Sequence, residues 1–214
     1  DRGVVYAVAH VRGGGEMGRR WYDDGKLLAK TNSFTDTLAC VDHLVTSGWF
    51  AADRVGLEGG SAGGLLVGAV LNLAPERFRV VHAAVPFVDA LTTMLQPDLP
   101  LTVGEWEEWG NPLADPQVYA AMRAYAPYEN VRAAAYPAVL ATSSLHDTRV
   151  YVTEPAKWVA RLRETVTSDP ATRPVLLRTE MSELLGMQGD KDILVIPART
   201  AAFSRARRPG KVLR

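Results

Sequence analysis

Cysteine is nearly missing from this chain of 214 residues, with Cys40 the only one. A single thiol excludes an internal disulfide framework and points to a reducing, cytoplasmic compartment. Cys40 falls in a helical pattern with Leu38, Val41 and Leu44, which predicts a buried structural thiol rather than a nucleophile. Net charge is missing as well. The 24 basic and 24 acidic side chains cancel, so the molecule has no overall attraction for nucleic acid or membrane. No run approaches the roughly 20 continuous apolar residues of a membrane span. Histidine is scarce: His10, His43, His82 and His146 are the full set, and none follows Asp147. The start, Asp1-Arg2-Gly3-Val4-Val5-Tyr6, has neither an initiator methionine nor a signal peptide, which predicts a chain cut from something longer.

What is there is an ordinary soluble composition, 47% hydrophobic and 22% charged, enough for one domain with a real core. Val4 to His10 is a short valine-rich run that predicts a buried parallel strand, ended by Gly13-Gly14-Gly15. From Ser33 the apolar spacing is helical, and Ser33 with Asp36 predicts a capping box. Arg54 to Leu57, Val80 to Val85, Ala138 to Thr142 and Val175 to Arg178 read as strands, and Pro155 to Arg163 as a helix. Strands alternating with helices predict a mostly parallel sheet with helices on both faces. Between Phe87 and Pro127 a proline-rich, aromatic insertion interrupts that rhythm, and such loops lie over the carboxyl ends of the strands, where ligands bind. From Arg199 onward there are six basic residues and no acid, leaving residues 1–198 at a formal −6. With no aromatic interleaving, that ending predicts a solvated tail rather than a nucleic-acid arm.

Gly59-Gly60-Ser61-Ala62-Gly63 matches G-x-S-x-G between a predicted strand and a predicted helix. In that setting small neighbours allow a sharp turn that lifts the Ser61 hydroxyl above the sheet edge. The Ala62 amide, opening the helix, then faces a developing oxyanion. The plain alternative, a glycine-rich dinucleotide turn, lacks the G-x-G-x-x-G spacing. Asp147, 86 residues after Ser61 and just past a predicted strand, fits the chain order nucleophile, acid, histidine. On its own it would read as a helix cap.

Ala9-His10-Val11-Arg12-Gly13-Gly14-Gly15-Glu16, Trp21-Tyr22, Gly25-Lys26-Leu27-Leu28 and Gly59 to Gly64 together resemble the catalytic domain of the prolyl oligopeptidase family, most of all its oligopeptidase B branch. Pro86-Phe87-Val88-Asp89, Leu101 to Glu105, Glu108-Trp109-Gly110-Asn111-Pro112 and Glu154-Pro155-Ala156-Lys157-Trp158 carry the likeness further, to about Met181. The resemblance implies an α/β-hydrolase fold, partial and truncated at both ends. It divides the chain into a catalytic domain over 1–181, without the β-propeller of full-length relatives, and a divergent basic tail over 182–214. It implies a serine peptidase that cleaves short peptides after Arg or Lys, needs no metal or organic cofactor, and takes short basic peptides as its partners.

The same resemblance implies that Glu105 and Glu107 bind the basic P1 side chain, as a carboxylate in a partly dry pocket would. It implies that Arg149 binds a substrate carbonyl. Without it, the glutamates would read as an exposed helix face and Arg149 as a surface ion pair. Relatives follow the equivalent of Thr179-Glu180-Met181 with a Gly-His-Gly-Gly loop. Here the sequence is Ser182-Glu183-Leu184-Leu185-Gly186, and the histidine position falls near Leu185. A serine without an imidazole cannot shed its proton as it attacks, so this sequence predicts a chain close to inactive. Two further expectations compete with it: an esterase on the same elbow, and a non-enzymic fragment that binds basic peptides.

Overall fold

A computed structural model describes residues 3–181. Four parallel strands form one sheet: β1 (Gly56–Gly60), β2 (Val80–Ala84), β3 (Ala138–Ser144) and β4 (Val175–Glu180), in that spatial order. Parallel neighbours need a crossover, and helices supply each one. Ahead of the sheet lie α1 (Arg19–Asp23) and α2 (Thr31–Thr46). Helix α3 (Ala62–Leu73) joins β1 to β2. Helices α4 (Ala90–Met94), α5 (Thr102–Trp109) and α6 (Pro116–Tyr125) occupy the insertion between β2 and β3, and α7 (Thr153–Thr165) joins β3 to β4.

Successive strand residues point to opposite faces. Val80 and His82 on one face of β2, and Val81 and Ala83 on the other, are all buried, so the sheet is covered on both sides. Leu65, Val70 and Leu71 of α3, Val81 and Val139 of the sheet, and Trp158 and Leu162 of α7 are wholly buried and form the centre of the core. Phe34 and Val41 extend it to α2. Covering a parallel sheet this way explains why β2 and β3 read as continuous apolar runs.

Four sequence expectations differ from the structure. The strand expected over Arg54 to Leu57 lies instead at Gly56–Gly60, because Ala52–Arg54 is taken up by a 3-10 turn. Residues 4–10 form no strand and are mostly exposed. A strand is held by its ladder, and among the described residues no strand pairs with this segment. Ser33 and Asp36 form no capping box, because the helix begins at Thr31 and puts both inside it. The Ser33 hydroxyl instead donates to the Arg12 carbonyl at 2.5 Å, and Asp36 accepts from Arg12. Cys40 is half-buried rather than buried, on the flank of α2. Among the described residues no helix is long and apolar enough to cross a membrane.

Candidate active site

Strand β1 ends at Gly60 and α3 begins at Ala62, so Ser61 alone makes the turn. Its backbone sits at φ 53°, ψ −117°, outside the regions open to residues with a Cβ. A serine in this position normally caps the helix with its hydroxyl. Here it makes no capping hydrogen bond and is exposed, so the strained turn frees the hydroxyl instead of using it. The backbone is held on both sides. Ser61 N–H donates to Ala84 O at 2.9 Å, and its carbonyl accepts from the amides of Gly64 at 2.9 Å and Phe87 at 3.1 Å. The Ala62 amide belongs to the first helical turn, where α3 offers it no acceptor.

Two of the glycines are required by contact. A Cβ on Gly59 would stand 2.5 Å from the Gly63 carbonyl oxygen and 2.7 Å from a Val67 methyl. One on Gly64 would stand 2.5 Å from Pro86 Cα. Gly63, by contrast, has open space beside it. Just after β2, Val85 has φ 40°, a genuine outlier for a β-branched side chain, with its amide bonded to Thr142 O at 2.7 Å. Nothing in the Val85-Pro86 sequence signalled that strain.

Asp147 lies past the carboxyl end of β3 and is 6% exposed. Its Oδ1 accepts the amides of Arg149 at 2.8 Å and Val150 at 3.1 Å, an Asx-type turn that fixes the carboxylate and is separate from the helix start at Thr153. Ser61 and Asp147 thus follow strands two positions apart in the sheet, about 10 Å at the usual strand spacing. That separation leaves room for an imidazole between them. The histidine position near Leu185 lies outside the described residues. Arg149 is exposed on the same loop, and among the described residues its side chain has no ion-pair partner.

Glu105 and Glu107 project from α5. Glu105 is half-buried and its Oε2 accepts the Trp109 indole N–H at 2.8 Å, while Glu107 is exposed. Two residues apart on a helix, they leave it about 200° apart, so the helix itself does not set them side by side. The Trp109 ring packs on Phe87 with centroids 5.5 Å apart, and the Phe87 amide bonds the Ser61 carbonyl. Glu105 is therefore linked to the elbow through two aromatic residues. Neighbouring Glu108 is already neutralised, by Lys30 at 2.5 Å. Among the described residues neither Glu105 nor Glu107 has a cationic partner.

Three of the four histidines stand apart from this arrangement or are already engaged. His82 is buried, with Nδ1 2.9 Å from Glu58 Oε1 and Nε2 3.3 Å from Thr142 Oγ1. His10 lies in the exposed loop against Glu16, and His43 is on the exposed side of α2. His146 is exposed beside Asp147. Sequence reasoning missed the ties that hold the surrounding loops. Arg12 makes a bidentate pair with Asp36, which holds the Asp36 carboxyl below its ordinary value. Glu154, in α7, accepts the Asp89 amide at 3.0 Å and the Thr93 hydroxyl at 2.8 Å, and burial pushes it up to about 7. An acidic residue at the start of a helix looks like dipole complementation, and that pattern hides such a contact.

The model of the prolyl oligopeptidase family matches residues 1–203, past the point near Met181 where the quoted motifs end. The chain is 55% identical over 181 residues to a dipeptidyl aminopeptidase BI of Pseudoxanthomonas mexicana, covering 85% of this chain and 24% of that one. It is 48% identical to protease 2 of Moraxella lacunata, covering 85% and 26%. Among solved structures, oligopeptidase B of Leishmania major superposes with a TM-score of 0.77 at 49% identity, covering 80% of this chain and 23% of the other. Oligopeptidase B of Trypanosoma brucei, with covalently bound antipain, gives 0.75 at 50%, covering 82% and 24%. The chain spans about a quarter of the length of these relatives.

Proposed function

The chain belongs to the prolyl oligopeptidase family of serine peptidases, and we propose that it carries the nucleophile and acid of an oligopeptidase B-like site for peptides with Arg or Lys at P1. The observation that carries this reading is the backbone of Ser61, strained at φ 53° between β1 and α3 with its hydroxyl uncapped. Ser61 Oγ attacks the scissile carbonyl, and the Ala62 amide donates to the oxyanion that forms. Asp147, fixed by two amides, orients the imidazole that must take the serine proton and return it to the leaving amine. Glu105 and Glu107 supply negative charge for the basic side chain, and the lack of a cation on either among the described residues supports that role. Arg149 binds a substrate carbonyl from the loop that holds Asp147.

With no histidine after Asp147, this sequence lacks the base, and its turnover of an arginyl amide is near background. A fluorophosphonate probe tests both halves of the proposal. It should label the chain slowly, faster by about 10²–10⁴ in a Leu185→His version, and not at all in Ser61→Ala. Fast labelling of the unaltered chain that disappears in His146→Ala would instead make His146 the base. Short esters cleaved in preference to basic amides by the Leu185→His version would favour an esterase. The relative named a dipeptidyl aminopeptidase adds one more comparison. Cleavage of a dipeptidyl amide with a free amine over its blocked form would mean release of dipeptides.

A further inference from the structure

Three carboxylates stand on α5, and among the described residues only Glu108 has a cationic partner. Glu108 accepts from Lys30 Nζ at 2.5 Å, in a pair where the lysine side chain is 10% exposed and the glutamate 25%. Its carboxylate also faces the Tyr22 phenol, and Glu108 is the main cause that holds that phenol above its ordinary value. Lys30 stands over the Trp109 ring, 4.5 Å from its centroid. The same indole donates its N–H to Glu105. Lys30 and Glu105 therefore touch one ring, the cation on its face and the carboxylate at its edge. A lysine has a flexible four-carbon stem and moves readily to the nearest strong anion.

We infer that Glu108 is a specificity-determining residue of the basic-side-chain site, acting as the counter-ion that keeps Lys30 from neutralising Glu105. The inference rests on the proposed role of Glu105 in holding an arginyl or lysyl side chain. A recognition carboxylate with a resident lysine would meet an incoming cation already paired, and most of the attraction would be lost. Glu108 prevents this by holding Lys30 over the face of the indole while Glu105 stays at its N–H edge. Removing the negative charge of Glu108 while keeping its shape leaves Lys30 without an anion, and Glu105 is the next one beside the ring. Removing Lys30 as well leaves nothing to compete.

Calorimetry on the full chain with N-acetyl-arginine amide and N-acetyl-leucine amide tests this. The unaltered chain should prefer the arginyl probe, and Glu105→Gln should erase the preference. Glu108→Gln should weaken arginyl binding by about five- to thirty-fold with leucyl binding unchanged, the range expected when an unpaired charge becomes paired. The double variant Lys30→Met with Glu108→Gln should recover the arginyl affinity to within about threefold, a coupling that a merely structural role of Glu108 would not produce. A double variant as weak as Glu108→Gln, or a Glu108→Gln that binds like the unaltered chain, overturns the inference while leaving Glu105 intact. An unaltered chain with no arginyl preference instead sinks the reading of Glu105, and the inference with it. If Glu108→Gln fails to fold, Glu108→Asp keeps the charge and must keep the preference, and its loss is equally fatal.

Discussion

Ser61 is held in a conformation that costs free energy, about 1–3 kcal/mol for a side chain kept outside the open backbone regions. The opposing anchors are its amide on Ala84 and its carbonyl under Gly64 and Phe87. The cost comes from the Cβ and has nothing to do with the hydroxyl. Ser61→Gly should therefore stabilise the fold by about 1 kcal/mol in urea unfolding, and Ser61→Ala should leave it nearly unchanged. Equal stability of the glycine and alanine forms would show that the turn is unstrained. Gly64 gives the opposite case. A methyl there meets Pro86 backbone at 2.5 Å, so Gly64→Ala should cost about 1–3 kcal/mol and slow fluorophosphonate labelling of the Leu185→His version. Gly63→Ala has open space and should be tolerated in stability.

Helix α7 does more than close the crossover between β3 and β4. Through Glu154 it holds the start of the insertion, taking the Asp89 amide and the Thr93 hydroxyl, and Thr93 O in turn accepts from Thr102 at the head of α5. Lys157, one turn along α7, pairs with the Asp89 carboxylate that faces Glu154. Burial, the largest cause, pushes Glu154 up to about 7 from an ordinary value of 4.5. A group raised in the folded state contributes stability that is full below its unfolded value and is lost as pH climbs through the folded one. Stability should therefore fall between about pH 4.5 and 7 by up to about 3 kcal/mol, and Glu154→Gln should flatten that slope in urea titrations at pH 5, 6, 7 and 8. A slope unchanged in Glu154→Gln would place the titrating group elsewhere. At the other end of the fold, Asp36 ties the glycine loop to α2 through Arg12. Asp36→Asn should speed limited proteolysis between Val11 and Gly15 while leaving the global unfolding midpoint in place.

The fold as a whole leaves two sheet edges without a partner among the described residues, those of β1 and β4, and the residues of β1 are exposed or half-buried along its length. Near the chain start Tyr6 and Val8 are exposed at 59% and 62%, and Trp49 at 67%. An open strand edge with scattered apolar side chains is a template for association. The chain should bind a hydrophobic dye and scatter light at micromolar concentration, and Tyr6→Lys with Val8→Lys should reduce both. A sharp monomeric transition with no dye uptake would count against this. The zero formal charge of the full sequence offers no long-range repulsion to oppose such contacts.

The positions of β2, β3 and β4, the turn at Ser61 and the place of Asp147 after β3 were legible along the chain, because each is written in a local pattern, whereas the glycines of β1 hid its true extent, Gly56–Gly60. A buried parallel strand is a run of apolar residues, and a sharp strand-to-helix turn needs small neighbours. Other features depended on residues far apart in sequence meeting in space. Ser33 and Asp36 have the spacing of a helix cap, yet they serve the Arg12 loop, because α2 starts two residues earlier and carries both inside it. Residues 4–10 have the composition of a strand, but a ladder takes two partners and composition supplies one. Glu105, Glu107 and Glu108 are alike in sequence, and only tertiary contact separates them, by putting Lys30, 78 residues away, against Glu108 and leaving the other two without a cation among the described residues. Local propensity acts over a few residues, whereas the pairing of charges and the burial of Glu154 are set by which distant elements the core brings together.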